Sequence, residues 1–92
     1  MEKFLPEHML DAIPADITDI DASGNTYIGR FDRSMVVAGT DVEAQAIWMI
    51  KKIELVESDG HSVYRTLYPN GVKSYTQVWD NRASLTYTFN KN

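Results

Sequence analysis

Cysteine is absent from this 92-residue chain. That excludes disulfide staples, thiolate metal ligands and thiol nucleophiles. Histidine is scarce, at two residues, His8 and His61. Basic residues are few and scattered, nine Lys and Arg against thirteen Asp and Glu, for a net charge of −4. Lys51-Lys52 is the only adjacent basic pair, so the clustered cationic surface that nucleic acid demands is missing. No apolar run approaches the ~20 residues of a membrane span. The first ten residues, MEKFLPEHML, lack the apolar stretch of a leader. The expectation is synthesis in a cytosol, and assembly from there into something larger.

A chain of this length makes one domain with a modest core, burying about 60–65% of the surface its unfolded form exposes. Without staples, small domains often gain stability by associating with partners. Residues 1–15 contain Pro6 and Pro14, with Phe4, Leu5, Met9, Leu10 and Ile13 between and around them. This segment reads as an N-terminal arm that packs on the domain or on a neighbour, and residues 16–92 as a β domain.

The signals that are present are those of strands and turns. DITDIDASGNT, from Asp16 to Thr26, is turn-rich. Tyr27-Ile28-Gly29-Arg30-Phe31 reads as a strand with Tyr27, Gly29 and Phe31 on one side. The run AQAIWMIKKIELVE, residues 44–57, has two readings. Thr40-x-x-Glu43 matches a capping box and would start a helix. The β-branched and aromatic content favours a strand, with Ile47, Met49, Ile53 and Leu55 on one side and Trp48, Ile50 and Val56 on the other. Ser58-Asp59-Gly60 is a turn. SVYRTLY (62–68) and VKSYTQVW (72–79) flank Pro69-Asn70-Gly71 and predict a hairpin. The stretch 84–89, SLTYTF, alternates as a half-buried strand and fastens the last residues into a sheet. The pattern predicts an all-β fold, a small antiparallel β-sandwich or barrel with an N-terminal arm.

Residues capable of chemistry are each better explained as structure. Asp19-Ile20-Asp21-Ala22-Ser23-Gly24 begins like a calcium loop, but Arg30 stands where the bidentate Glu belongs. No metal site or cofactor is expected. Asp59, His61 and Ser62 are sequence neighbours, which rarely have triad geometry. Asp80 and Arg82 flank a turn and predict an ion pair across that corner. Exposed Tyr and Trp favour interfaces and sugar stacking. Tyr75 and Trp79 fall on one side of their predicted strand, and Tyr75 is the candidate binding aromatic.

Three motifs carry a resemblance. Tyr27-Ile28-Gly29 is followed by Trp48 in a W-x-I-K-K-I context (Trp48, Ile50, Lys51, Lys52, Ile53), then by Val78-Trp79-Asp80-Asn81-Arg82-Ala83-Ser84-Leu85-Thr86-Tyr87. This order resembles a group of small uncharacterised proteins of tailed bacteriophages. Those read Y-I-G, a Gly/Thr-rich loop, W-x-I-x-K-I, a variable hairpin and V-W-D-[DN]-R-A-S-L-x-Y. The likeness covers residues 27–87, with the terminal motif the most specific part. The loop at 30–44 is less Gly/Thr-rich here. The resemblance implies a virion structural protein with no known activity. Trp48, Trp79, Asp80, Arg82, Leu85 and Tyr87 would then determine the fold.

The expectation is a non-enzymatic virion subunit, tail-, neck- or baseplate-associated or a head decoration. Its partners would be other virion proteins and copies of itself, with Phe4, Leu5, Met9, Leu10 and Tyr75 at interfaces. The rival is a carbohydrate- or receptor-binding module using Tyr64, Tyr68, Tyr75 and Trp79 on a host glycan.

Overall fold

The computed structural model describes residues 15–91. Residues 1–14, and with them Phe4, Leu5, Met9 and Leu10 of the expected arm, lie outside the described residues.

Six strands follow in order: β1 Ile17–Ile20, β2 Thr26–Phe31, β3 Ala46–Ser58, β4 His61–Pro69, β5 Gln77–Val78 and β6 Tyr87–Thr88. They form one antiparallel sheet, ordered β1-β2-β3-β4-β6, with β5 also paired to β3. The all-β antiparallel class read from the alternation is what forms, and the sheet does not close into a barrel. No helix among the described residues is long and apolar enough to cross a membrane.

β3 is the spine. Its 13 residues extend about 43 Å, close to the longest dimension of 48 Å. The helical alternative at 44–57 shrinks to a single 3-10 turn, Val42–Ala44, where the Asp41 carboxylate accepts from the Glu43 N–H. Beyond it the β-branched and aromatic residues pair as a strand. β2 lines β3 from Phe31↔Trp48 to Thr26↔Ile53. β4 takes it from Lys52↔Leu67 to Ser58↔His61.

The register places Tyr27, Gly29 and Phe31 on the same face as Trp48, Ile50 and Lys52. A 3-10 segment, Trp79–Ser84, lies across this face. Trp48 and Trp79 are each 2% exposed, with ring centroids 5.5 Å apart. They centre a cluster with Tyr27, Ile47 and Ile50, against which Ile17, Phe31, Val42, Leu85 and Tyr87 pack. Burying each indole stabilises the fold by roughly 2–3 kcal/mol. Gly29 makes the contact possible. A Cβ there would stand 2.5 Å from two Trp79 ring carbons and 3.0 Å from Trp48.

Three expectations are corrected. First, 62–68 and 72–79 do not form a hairpin. Pro69-Asn70-Gly71 does turn, with positive φ at Asn70 and Gly71 and the Gly71 N–H donating to Tyr68 O. However, β4 is already paired with β3, and β6 takes the place beside Tyr68 and Pro69. Residues 72–76 leave as irregular chain, and β5 lands on Ala46 and Trp48 of β3. The hairpin that forms is β3–β4, closed by Asp59 (φ 50°) and Gly60 (φ 79°), the two-residue loop whose twist suits paired strands. Second, the predicted strand at 84–89 keeps only Tyr87–Thr88, because the preceding residues are spent on the 3-10 segment that buries Trp79. Third, the Asp80–Arg82 ion pair does not form. Asp80 is exposed, and the Arg82 Nε donates to Asp19 Oδ2 at 3.1 Å. The 3-10 segment turns the Arg82 side chain back over the Trp79 ring, 4.6 Å from its centroid, toward β1.

Candidate interaction surfaces

Trp48, Trp79, Arg82, Leu85 and Tyr87 of the motifs assemble into one packed corner. Arg82 is fastened three ways: to Asp19, to the Trp79 carbonyl at 3.2 Å, and over the Trp79 ring. The Tyr87 hydroxyl donates to the Arg82 carbonyl at 2.7 Å. Burial, with Tyr27 nearby, pushes the Tyr87 phenol well above its ordinary pKa, so it stays a protonated donor. Trp48 Nε1 donates to the Val42 carbonyl at 2.9 Å. Each polar group here holds another part of the same fold.

The acidic turn residues are likewise committed. Asp21 accepts from the Ser23 and Asn25 backbone N–H groups, at 2.9 and 3.0 Å, closing the β1–β2 turn. With Asp19 on Arg82, the calcium-like stretch places its carboxylates on protein donors. Among the described residues no group of three acidic or imidazole side chains converges as a metal site would require. Asp59, His61 and Ser62 lie exposed at the β3–β4 tip.

Two surfaces stand out among the described residues. The first is a cleft of about 320 Å³ lined by Arg30, Phe31, Asp32, Arg33, Ser34 and Tyr75. Tyr75 was expected on a strand beside Trp79. It lies instead on the irregular segment before β5, half-buried, while Trp79 is in the core. The cleft wall is held by local hydrogen bonds. Asp16 accepts from Arg33 Nη2 at 2.7 Å and from the Phe31 N–H at 3.1 Å. The Arg33 hydrogen bond, then the Phe31 amide, holds the Asp16 carboxyl below its usual range against a small cost of burial. Arg33 also sits over the Phe31 ring, 4.5 Å from its centroid. Asp32 accepts from Ser34 Oγ at 2.6 Å, which lowers its pKa too. Beside the cleft, Met35, Val36 and Val37 form a consecutive exposed apolar run, Val37 at 63%. The pairing of Arg30 and Arg33 around Phe31 was missed in the sequence, where the two arginines read as scattered charge.

The second surface is the outer half of the β3–β4 hairpin. The β2 pairing ends at Ile53, and from Glu54↔Arg65 to Ser58↔His61 β3 and β4 pair with each other alone among the described strands. Leu55 faces Tyr64 on one side and Val56 faces Val63 on the other. Val63 is 48% exposed.

Of the four aromatics that a glycan site would use, Tyr68 and Trp79 are buried. Tyr64 is on the hairpin and Tyr75 in the cleft, so they do not form one platform. Lys51 is buried on the face of β3 opposite Trp48, at 8% exposure. Burial, then nearby Lys73, lowers its pKa, and Lys73 itself lies over the Tyr68 ring.

No protein family, curated protein or solved structure matches the chain.

Proposed function

We propose that this chain is a non-enzymatic structural subunit of a tailed-bacteriophage virion and works by protein–protein assembly. The observation that carries this reading is the division of labour in the molecule. The residues of the resembling motifs, Trp48, Trp79, Arg82, Leu85 and Tyr87, are spent on one packed corner. Among the described residues the exposed apolar side chains lie elsewhere, at Val63 on the β3–β4 hairpin and in the consecutive run Met35, Val36 and Val37. A tail, neck or baseplate piece and a head decoration are all consistent with it. The net charge of −4 leaves nucleic acid out of the list of partners. Mass spectrometry of purified virions is the test, and a particle lacking this protein ends the proposal.

A second reading rests on the cleft. A half-buried tyrosine beside Phe31 and two arginines is chemistry that also suits a carbohydrate or a host receptor. A glycan array checks it: selective binding abolished by Tyr75→Ala supports recognition, and a blank array removes it.

A further inference from the structure

We propose that Asn70 is a self-modifying site gated by the segment that carries β6. When residues 86–91 let go of the Pro69–Val72 turn, the Gly71 backbone nitrogen attacks the Asn70 side-chain amide. The isoaspartate that follows keeps the segment from closing again.

The chemistry is intramolecular and consumes only water. Glycine is the least hindered residue to follow an asparagine, because no side chain shields its amide nitrogen. Asn25, Asn81 and Asn90 precede Thr26, Arg82 and Lys91, and Asn70 alone precedes a glycine. The Gly71 nitrogen gives up its proton and bonds to Asn70 Cγ. The Cγ–Nδ2 bond breaks, and ammonia leaves with the proton. Water then opens the cyclic imide at either carbonyl. One opening yields aspartate. The other yields isoaspartate, in which the side-chain methylene has become part of the main chain.

The fold holds this reaction off. Asn70 is exposed, so water and base reach its amide, but the nucleophile is tied. The Gly71 N–H donates to the Tyr68 carbonyl at 2.9 Å, and that bond must break before the nitrogen can lose its proton. The Asn70 N–H donates to the Thr86 carbonyl at 2.8 Å, and the Lys91 N–H to the Gly71 carbonyl at 2.9 Å. These two bonds grip the turn on either side of the reacting peptide. Gly71 is buried, and a Cβ there would stand 2.7 Å from Lys91 Cγ and the Phe89 carbonyl oxygen and 2.8 Å from Thr88 Oγ1. The main chain has no room to swing toward Asn70 Cγ while the segment is seated. Conversion therefore waits on local opening.

The same tightness makes the product a lock. One added main-chain carbon between Asn70 and Gly71 lengthens the span between the two gripping bonds. Their partners are fixed by the pairing of Tyr68 and Pro69 with β6, a strand of two residues. β6 carries Tyr87, whose hydroxyl holds the Arg82 carbonyl, so release of the segment reaches the packed corner.

Asp59→Asn builds the control into the same molecule. It makes a second Asn-Gly turn on nearly the same backbone, φ 50° and 79° against 52° and 73°. That turn is exposed, and among the described residues nothing stands within 4 Å of where a Gly60 Cβ would be. The full-length variant is incubated at mildly alkaline pH, and peptide mapping by mass spectrometry follows both positions. Position 59 is expected to convert at least about tenfold faster than Asn70 in the folded protein, and within about threefold of it in urea, where no grip remains. Asn70 converting as fast as position 59 in the folded protein overturns the gate. Lys91→Pro removes one gripping N–H and should speed Asn70 at least about threefold with position 59 unchanged. A chain ending at Thr88 removes the same bond by another route, and tryptophan fluorescence checks that each variant folds. An Asn70 rate unchanged in both overturns the gate as well. For the lock, isoaspartyl protein is separated and its hydrogen exchange measured. Fast exchange of the Lys91 amide is expected, and protection equal to that of the unmodified protein overturns the lock.

Discussion

Replacing Gly29 with alanine tests the packed corner most sharply. Its φ is not in the left-handed region, so the backbone accepts alanine without strain. By conformational entropy alone the change would stabilise by about 0.4–1 kcal/mol. Space reverses the sign. The new methyl would stand 2.5 Å from Trp79 Cε3 and Cζ3 and 3.0 Å from Trp48 Cε3, against an ordinary carbon contact of about 3.5–4.0 Å. Something must move by about 1 Å. Neither indole can swing aside, because both are buried against each other. Trp48 is also tied to Val42 and Trp79 is covered by Arg82. Overpacking of this kind costs about 1–3 kcal/mol, leaving a net destabilisation of about 1–2 kcal/mol. For a chain this size that lowers Tm by roughly 4–16 °C. Urea unfolding followed by tryptophan fluorescence reports on the two rings concerned. Trp79→Phe in the same chain should recover part of the loss, giving a coupling energy in a double-mutant cycle. A Gly29→Ala protein as stable as the parent would refute the close approach.

Three further outcomes follow from the same corner and the cleft wall. Arg82→Ala should cost about 1–2 kcal/mol and Asp19→Ala about 0.5–1, whereas Asp80→Ala should stay within about 0.5; chemical denaturation of the three separates the observed ion pair from the one that proximity in sequence suggests. Tyr87→Phe should lose about 1 kcal/mol with the bond to the Arg82 carbonyl, measured the same way. Asp16 has a folded pKa below its ordinary 3.8, so its stabilisation is complete above that value and is lost as pH falls through the folded one. Denaturation curves from about pH 2 to 7 should show an acid-side decline that Asp16→Asn and Arg33→Ala each flatten.

Local chemistry was legible along the chain. The runs 27–31 and 62–68 were readable as β2 and β4, and β-branched and aromatic content marked β3 over the rival capping box, whereas the alternation at 72–79 and 84–89 left only Gln77–Val78 and Tyr87–Thr88 as strand. Asp59-Gly60 and Asn70-Gly71 were readable as turns because few residues accept positive φ. The faces of Trp48, Ile50 and Lys52 followed from parity, whereas Ile47, expected on the side opposite Trp48, joins the Trp48 cluster at the irregularity between Ala46 and Trp48. The corner was legible as a set of residues, though not as contacts. Arg82 stands two residues from Asp80 and 63 from Asp19, and it is Asp19 that it meets.

What the sequence by itself determined is therefore the local and periodic part: strand or turn, which face, no thiol chemistry, an acidic and sparsely basic surface. Which strands became neighbours was decided only in three dimensions. Both turns were competent to make hairpins, but one edge of a strand takes one partner. β3 takes one edge of β4 and β6 takes the other beside Tyr68 and Pro69, and the chain after Gly71 crosses toward Ala46 and Trp48. That crossing put Trp79 over Gly29 and moved Tyr75 out of a strand into a cleft with Arg30 and Arg33. Those placements depend on contacts between residues far apart in the chain, and no local pattern encodes them.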